Sequence, residues 1–418
     1  MNNIVMKNIS IHKLLPLVVL VSIFSGCDLF NNDDPKQEDK YLVSFDKHAT
    51  YTASQIQSLL SIFAIINPEL QIIADNLQNG VDVYTITYNT KFEGKDIIAS
   101  GLVSVPDNAG TYPVLSYQNG TNTLNSEAPS VNPNNQMFQL LEFVSSTGFI
   151  VSMPDYIGFG STKTKFHPYL DKESTVQAVT DMIRAVNELV TNYSDIEVSK
   201  DLYIAGYSQG GWATLQLQKE IEQKYATEFD LKASACGAGP YDLRYINDYI
   251  LAQTNYPMPY FIGYMFNSYF NLKDITNPPS DVFKAPYDAR ILTLYDGTKS
   301  GEEINAQLTT ATADLFIAEY KSSSNTNTKF LSVISTLDKN TISAWKTTTP
   351  TLIMHGTADN YVPPQVSAEI YQDFLTAGVS PTIVTYVPIE GAGHNSGVMP
   401  FGLATINWFI GLNNKESL

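Results

Sequence analysis

The chain has 418 residues, of which 44% are hydrophobic and 11% aromatic, so it can bury the core of one large domain or two ordinary ones. Its 25 Lys and Arg residues are outnumbered by 42 Asp and Glu residues, which gives a formal net charge of −17. A chain this acidic offers no cationic surface for a phosphate backbone, so nucleic acid is excluded as a partner.

The N-terminus has the layout of a secretory signal peptide over residues 1–26, with lysines, then an apolar run, then small residues before Cys27. The sequence FSGC resembles the bacterial lipobox, in which the cysteine becomes the lipidated N-terminus. An ordinary signal peptide or a short membrane anchor is the alternative. Residues 27–40 are rich in acids and predict a solvated tether. We expect an exported protein that is anchored by lipid to a membrane of a bacterial cell envelope. The expected locations include the cell surface.

Hydrophobic periodicity predicts two short helices over 53–64 and 68–77, then a β-hairpin with strands at 82–89 and 97–105. Strands and helices alternate from there, which indicates a mostly parallel sheet with helices on both faces. The further predicted strands cover 112–118, 149–155, 202–206, 232–237, 351–356 and 382–389. The further predicted helices cover 135–147, 174–193, 209–225, 364–377 and 401–411. Eight strands, the first two antiparallel, predict an α/β-hydrolase sheet.

Residues 241–346 interrupt this alternation with aromatic-, Pro- and Asn-rich sequence and helical patches such as 303–320. We interpret them as a helical lid or cap inserted into a core formed by 41–240 and 347–418. The stretch over 255–270 is dense in aromatic residues. We expect four of these rings to roof a substrate pocket: Tyr260, Phe261, Tyr264 and Phe266. The alternative is that they only pack the insertion onto the sheet.

The pentapeptide at 206–210 reads Gly-Tyr-Ser-Gln-Gly, which matches G-x-S-x-G. In this motif glycines permit a sharp strand-to-helix turn that exposes a serine hydroxyl above the sheet edge. An apolar strand precedes it and a helical pattern follows it. Ser208 is therefore the predicted nucleophile, with a structural Gly-Ser turn as the alternative.

A serine nucleophile needs a base, and the chain has five histidines. His394 lies in a Gly-rich loop after the last predicted strand and is the predicted base. His355, at a strand end, is expected to pack beneath the acid loop, and His167 to line a loop or the wall of the site. Asp359 follows a strand, precedes His394 and is the predicted acid, with an Asx turn or helix cap as the alternative.

An oxyanion needs backbone N–H donors. One is expected from Gln209, which follows the nucleophile, and another from Asn119, Gly120 or Thr121 in the loop after the strand over 112–118. Two tyrosines are also expected to bind substrate: Tyr156 and Tyr207. For the Gly-rich stretch over 154–164, which contains Tyr156, a loop without contact to the site is the alternative.

The motifs PDYIGFG, HPYL, GYSQGG, GPYDL, HGTADNYVP and GAGH occur in this order, with a long insertion before the acid. Together they resemble the α/β-hydrolases related to the secretory lipases of fungi, the lipase A type, which has many relatives among bacterial lipoproteins. The resemblance covers most of 80–412. It implies Ser208 as nucleophile, Asp359 as acid, His394 as base and the loop over 118–121 as oxyanion donor. The chain differs in lacking the disulfides such lipases often have and in its asparagine at position 119.

These residues predict a serine esterase or lipase that cleaves carboxylic esters of a lipid or an esterified glycan. No metal or cofactor is implied, and the predicted partners are the ester substrate and the membrane that receives the N-terminal lipid. Two alternatives stay open. One is a serine peptidase of the same fold, and the other is a non-catalytic surface lipoprotein that binds glycan or lipid.

Overall fold

The computed structural model describes residues 40–65 and 67–416, and they form a mixed nine-stranded sheet with helices on both faces. The order across the sheet is β1-β2-β3-β5-β4-β6-β7-β8-β9. The strands are β1 (Leu42–Tyr51), β2 (Val81–Phe92), β3 (Lys95–Pro106), β4 (Gly110–Gln118), β5 (Ile150–Pro154), β6 (Ile196–Tyr207), β7 (Asp230–Gly237), β8 (Thr351–Gly356) and β9 (Val384–Ile389). Cys27, the predicted signal peptide and the tether up to residue 39 lie outside the described residues.

The helices cover both faces of the sheet and the stretch between β7 and β8. Those of the described residues are α1 (Ala53–Phe63), α2 (Gln71–Asp75), α3 (Gln136–Val144), α4 (Lys172–Val190), α5 (Gln209–Glu220), α6 (Leu243–Ala252), α7 (Pro259–Leu272), α8 (Tyr287–Ile291), α9 (Gly301–Asn305), α10 (Thr312–Leu315), α11 (Ala318–Ser323), α12 (Leu331–Asn340), α13 (Gln365–Thr376) and α14 (Val398–Glu416). None of these helices is long and apolar enough to cross a membrane.

The sheet has one strand more than predicted, and the extra strand is β1 at its edge. Most of its side chains are exposed, and Leu42 is the only fully buried one, so its sequence lacks the apolar alternation that marks a strand. Pairing with β2 holds it in place, together with an ion pair in which Lys47 Nζ lies 2.7 Å from Asp82 Oδ2.

The next two strands form the predicted hairpin. Phe92 pairs with Lys95 across a two-residue turn, and Glu93 and Gly94 both have positive φ angles of 50° and 73°. This is the backbone of a type I′ turn, whose twist matches that of the strands. Strands β4 to β9 run parallel to one another.

Strand β6 shows why the sheet carries helices on both faces. Leu202 and Ile204 belong to a buried cluster that includes residues of α4. Tyr203 and Ala205, on the opposite face, belong to another cluster, where the Tyr203 ring packs 5.1 Å from that of Phe409 in α14. Because neighbouring side chains of a strand point to opposite faces, an apolar run of this kind must be buried on both sides.

Between β7 and β8, where every residue is described, the chain forms seven helices, α6 to α12. The predicted helical patch over 303–320 is divided among α9, α10 and α11. The end of this stretch is fastened to α5, since Asn340 O accepts hydrogen bonds from Trp212 Nε1 at 3.0 Å and Gln216 Nε2 at 3.1 Å. The stretch is therefore tied to the helix that begins beside Ser208.

Candidate active site

Ser208 lies on a sharp turn between β6 and α5, with φ 59° and ψ −122°. Its N–H donates to Gly237 O at 2.8 Å, which ties the turn to β7. The flanking glycines are required by close backbone approach. A Cβ at Gly206 would lie 2.4 Å from Gly210 O, and a Cβ at Gly210 would lie 1.9 Å from Gln118 O. The turn therefore has the strained strand-to-helix geometry that G-x-S-x-G predicts.

The structure brings the three predicted side chains together in one hydrogen-bonded chain. Ser208 Oγ lies 2.8 Å from His394 Nε2, and His394 Nδ1 lies 2.6 Å from Asp359 Oδ2. Because an ionised carboxylate can only accept, Nδ1 carries the imidazole proton, and the lone pair of Nε2 accepts the serine O–H. Such a chain can take a proton from a hydroxyl as that hydroxyl attacks an electrophile.

Asp359 is held by four hydrogen bonds. Its Oδ1 accepts from the N–H groups of Tyr361 and Val362 at 2.8 and 3.0 Å, and its Oδ2 accepts from His355 Nε2 at 3.1 Å as well as from His394. Burial alone would raise the pKa of Asp359, but the hydrogen bonds from the two histidines outweigh it and hold this pKa well below its usual range. Asp359 is therefore ionised and fixed in orientation.

His355 lies beneath the acid loop, as expected from the sequence. It is fully buried, and its Nδ1 lies 2.7 Å from Ser367 Oγ. Since its Nε2 faces the carboxylate of Asp359 and the carbonyl of Val362, Nε2 carries the proton and the serine hydroxyl donates to Nδ1. His355 has no hydrogen bond to Ser208 in the structure and supports the acid.

The loop that carries His394 rests on Tyr207. The phenol hydroxyl donates to His394 O at 2.7 Å, and the two ring centroids are 5.4 Å apart. Tyr207 was predicted to contact substrate, but its hydroxyl is occupied in positioning the backbone of the histidine. Tyr361 lies 5.4 Å from the same imidazole, and sequence reasoning did not single it out, although it is two residues from Asp359.

The predicted oxyanion loop lies against the turn at Ser208. Among the described residues, no acceptor takes up the N–H of Gln209, or those of Asn119, Gly120 and Thr121. Asn119 Nδ2 donates to Pro154 O at 2.7 Å, and the hydroxyl of Tyr156 donates to Asn119 O at 3.1 Å. Tyr156 thus contacts the backbone of this loop and supports it, and its hydroxyl proton is used in that hydrogen bond.

A narrow cavity of about 30 Å³ lies over Ser208. Most of its wall is apolar, and six of its thirteen lining residues come from α6 and α7. Lining residues that the sequence did not single out include Leu243, Ile246, Ile250, Tyr256, Ile262 and Met265. The helical spacing of apolar residues in α6 and α7 could have indicated that these residues are buried. Such spacing identifies a buried helix face but does not show what that face covers.

The four aromatic residues predicted to roof the pocket have different positions. Phe261 lines the cavity, and half-buried Tyr260 packs on it with ring centroids 4.1 Å apart. Tyr264 is buried in a stack with two other tyrosine rings, each 4.6 Å away. Phe266 is not at the cavity, since it is fully buried with its ring 5.1 Å from that of Phe283. At about 100° per residue, position 264 lies roughly 60° and position 266 roughly 140° around the helix from Phe261, so position 266 faces away from the cavity.

The strand order, the turn at the serine and the Ser–His–Asp chain define an α/β-hydrolase. A sequence profile described as secretory lipase matches residues 123–417, which is more than half of the chain. The chain therefore belongs to the secretory lipase family. This membership supports the hydrolysis of esters and export from the cell. No curated protein sequence matches the chain significantly.

Solved structures share the fold at low sequence identity. A protein from Legionella pneumophila aligns with a TM-score of 0.79 and 24% identity, over 90% of this chain and 100% of that one. The rice cell wall degrading esterase LipA from Xanthomonas oryzae aligns with a TM-score of 0.75 and 23% identity, over 90% and 98%. Candida antarctica lipase A in its closed state aligns with a TM-score of 0.64 and 16% identity, over 89% and 81%.

Proposed function

We propose that this chain is a serine hydrolase of the lipase or carboxylesterase type, which cleaves carboxylic esters through an acyl-enzyme on Ser208. One observation carries the proposal: the unbroken hydrogen-bonded chain from Asp359 through His394 to Ser208. Unpartnered N–H groups at Gln209 and in the loop over 119–121 complete what acyl transfer needs.

In the first half of the reaction, Ser208 Oγ attacks the ester carbonyl while its proton passes to His394 Nε2. The oxyanion is bound by the N–H of Gln209 and an N–H of the loop over 119–121. The imidazolium is stabilised by Asp359 and returns the proton to the leaving alkoxide, which departs as the alcohol. In the second half, water attacks the acyl-enzyme in the same way and the carboxylic acid is released.

An ester substrate is favoured over a peptide by family membership and by the lining of the cavity. Its wall is mostly apolar, which suits an acyl chain, and Ser208 is the triad residue that lines it. A non-catalytic binding role is disfavoured, because such a protein would not need an ionised acid, an oriented base and a strained serine in one hydrogen-bonded chain.

We further propose that residues 241–346 act as the lid over a core formed by 41–240 and 347–418. The cavity volume of about 30 Å³ is close to the space of a single water molecule. An acyl chain therefore enters only if lining side chains move, and seven of the thirteen lining residues belong to the insertion. Phe261 and Met265 of α7 and Ile246 of α6 are among them.

The test is turnover of p-nitrophenyl esters of increasing chain length by the wild-type protein and by Ser208→Ala. We expect a loss of about 10³-fold or more in kcat for the variant, with an unchanged melting temperature. A fluorophosphonate should label Ser208, as mapped by mass spectrometry, and label His394→Ala more slowly. Near-normal turnover by folded Ser208→Ala, or an adduct on another serine, would contradict the proposal. Cleavage of peptides but not esters would favour the peptidase.

We also propose that Cys27 carries the lipid that anchors the exported protein. Stable attachment takes about two acyl chains, which a lipidated N-terminal cysteine supplies. In Cys27→Ser the protein should leave the membrane fraction or fail to mature, as seen by fractionation and mass spectrometry. Unchanged membrane retention of a correctly processed Cys27→Ser protein would point instead to an uncleaved anchor.

A further inference from the structure

His167 is a buried histidine that the proposed reaction leaves without a role. It lies in the loop between β5 and α4 and is 4% exposed. Four aromatic rings surround it with centroids 5.1 to 5.9 Å away: Tyr156, Phe159, Tyr169 and Tyr264. The loop is closely packed, since a Cβ at Gly158 would lie 2.6 Å from His167 Cα. The imidazole therefore has a fixed orientation.

The contacts of the ring determine which nitrogen carries the proton. Nδ1 lies 2.7 Å from Ile157 O, and a carbonyl oxygen can only accept, so Nδ1 donates. Burial lowers the pKa of His167 to about 4, so the ring is neutral near pH 7 and Nε2 is an acceptor. The side-chain amide of Gln209, with Nε2 2.9 Å from His167 Nε2, must be the donor.

Gln209 is the first residue of α5 and follows Ser208 directly. Its side chain is buried, and its Oε1 has no hydrogen-bond partner among the described residues. The bond to His167 is thus the hydrogen bond that orients this amide. In the peptide group between Ser208 and Gln209, the Ser208 carbonyl accepts from Trp212 N–H at 3.1 Å. Because the side chain and the backbone N–H of Gln209 belong to one residue at a strained turn, a fixed amide adds a second restraint on this peptide group.

We propose that His167 is a positioning residue for the oxyanion hole, which aims the backbone N–H of Gln209 by holding the side-chain amide of the same residue. The inference rests on the proposed function, in which this N–H binds the oxyanion. A donor aimed at developing charge stabilises the transition state more than the bound ester. If the N–H of Gln209 is no longer held in this orientation, kcat should therefore fall and KM should stay nearly unchanged.

Two variants separate this role from simple packing. His167→Asn places an amide N–H where Nδ1 lies and can keep the bond to Ile157 O, but it removes the acceptor for Gln209. His167→Gln reaches the position of Nε2 and can keep that acceptor, but it loses the bond to Ile157 O. Both remove the imidazole and make a similar change in the aromatic environment, so each is the control for the other.

We expect kcat for a p-nitrophenyl ester to fall about 10- to 100-fold in His167→Asn, with KM within about threefold of wild type, because a small misplacement of a reacting group has effects of this size. In His167→Gln, kcat should be restored to within about fivefold of wild type. Both acylation and deacylation form an oxyanion, so the effect holds whichever step limits turnover. Equal losses in the two variants, or none in His167→Asn, would overturn the inference.

Gln209→Leu gives a second test that does not depend on the folding of the His167 variants, because it keeps the backbone N–H and removes the amide. It should lower kcat as much as His167→Asn does, and combining the two should lower kcat no further. An unchanged kcat in folded Gln209→Leu would overturn the inference. Ser208→Ala on the same ester separates the two proposals: turnover that depends on Ser208 but not on His167 or the Gln209 amide refutes only the positioning role.

Discussion

Truncating Phe261 tests whether the insertion selects the acyl group. Phe261 is half buried, lines the cavity over Ser208 and has its ring centroid 6.5 Å from that of His394. One apolar contact in a substrate pocket discriminates by about 1–3 kcal/mol. Because only part of the ring faces the cavity, we expect the lower part of that range in Phe261→Ala, about 1–2 kcal/mol, which is roughly 5- to 30-fold in kcat/KM.

The expected loss is confined to long-chain esters, since a two-carbon acetyl group buries far less apolar surface against this ring than a long acyl chain does. The assay is kcat and KM for p-nitrophenyl esters from acetate to dodecanoate. Phe266→Ala, five residues further along α7, is the matched control. Its ring is fully buried among other rings and away from the cavity. The control should lose about 3–5 kcal/mol of unfolding free energy and keep the same chain-length profile.

Two results would refute this reasoning. One is an equal loss on acetate and on long-chain esters in Phe261→Ala, which would indicate damage to the triad instead of a lost acyl contact. The other is an altered chain-length profile in folded Phe266→Ala, which would mean that the whole insertion, not one face of α7, determines specificity.

Two further predictions concern buried carboxyl groups. In Asp359→Asn, an amide N–H₂ would face the ring N–H groups of His355 and His394, so His394 should adopt the other tautomer, and kcat should fall about 10⁴-fold. A folded variant within tenfold of wild type would contradict this. Glu142 is 1% exposed, both its carboxyl oxygens lack partners among the described residues, and burial raises its pKa to about 8 from an ordinary 4.5. The folded state therefore holds a proton that the unfolded state releases, and the unfolding free energy should fall by up to about 5 kcal/mol from pH 4.5 to pH 8. Urea unfolding of Glu142→Gln should show a smaller fall over this range, and an unchanged pH dependence would contradict it.

Much of the sheet could be predicted because its central strands are buried on both faces. A short apolar run such as the one over 202–206 is stable as a strand that is covered on both faces of a parallel sheet. Strand β1 could not be predicted, since an exposed edge strand depends on its partner and not on its own apolar pattern. The short helices α9 to α11 were predicted as a single helical patch, because the ends of these helices depend on local packing within the insertion.

The sequence alone determined the identity of the candidate reacting groups. The glycines around Ser208, the order of Asp359 and His394 after it, and the position of each at a strand end are local features that one chain displays. Only the tertiary structure decided which neighbours support them. His167 and Gln209 are 42 residues apart, and Phe266 differs from Phe261 only in the direction it faces on α7. Contacts of this kind depend on how loops and helices pack in three dimensions, which periodicity along one chain does not encode.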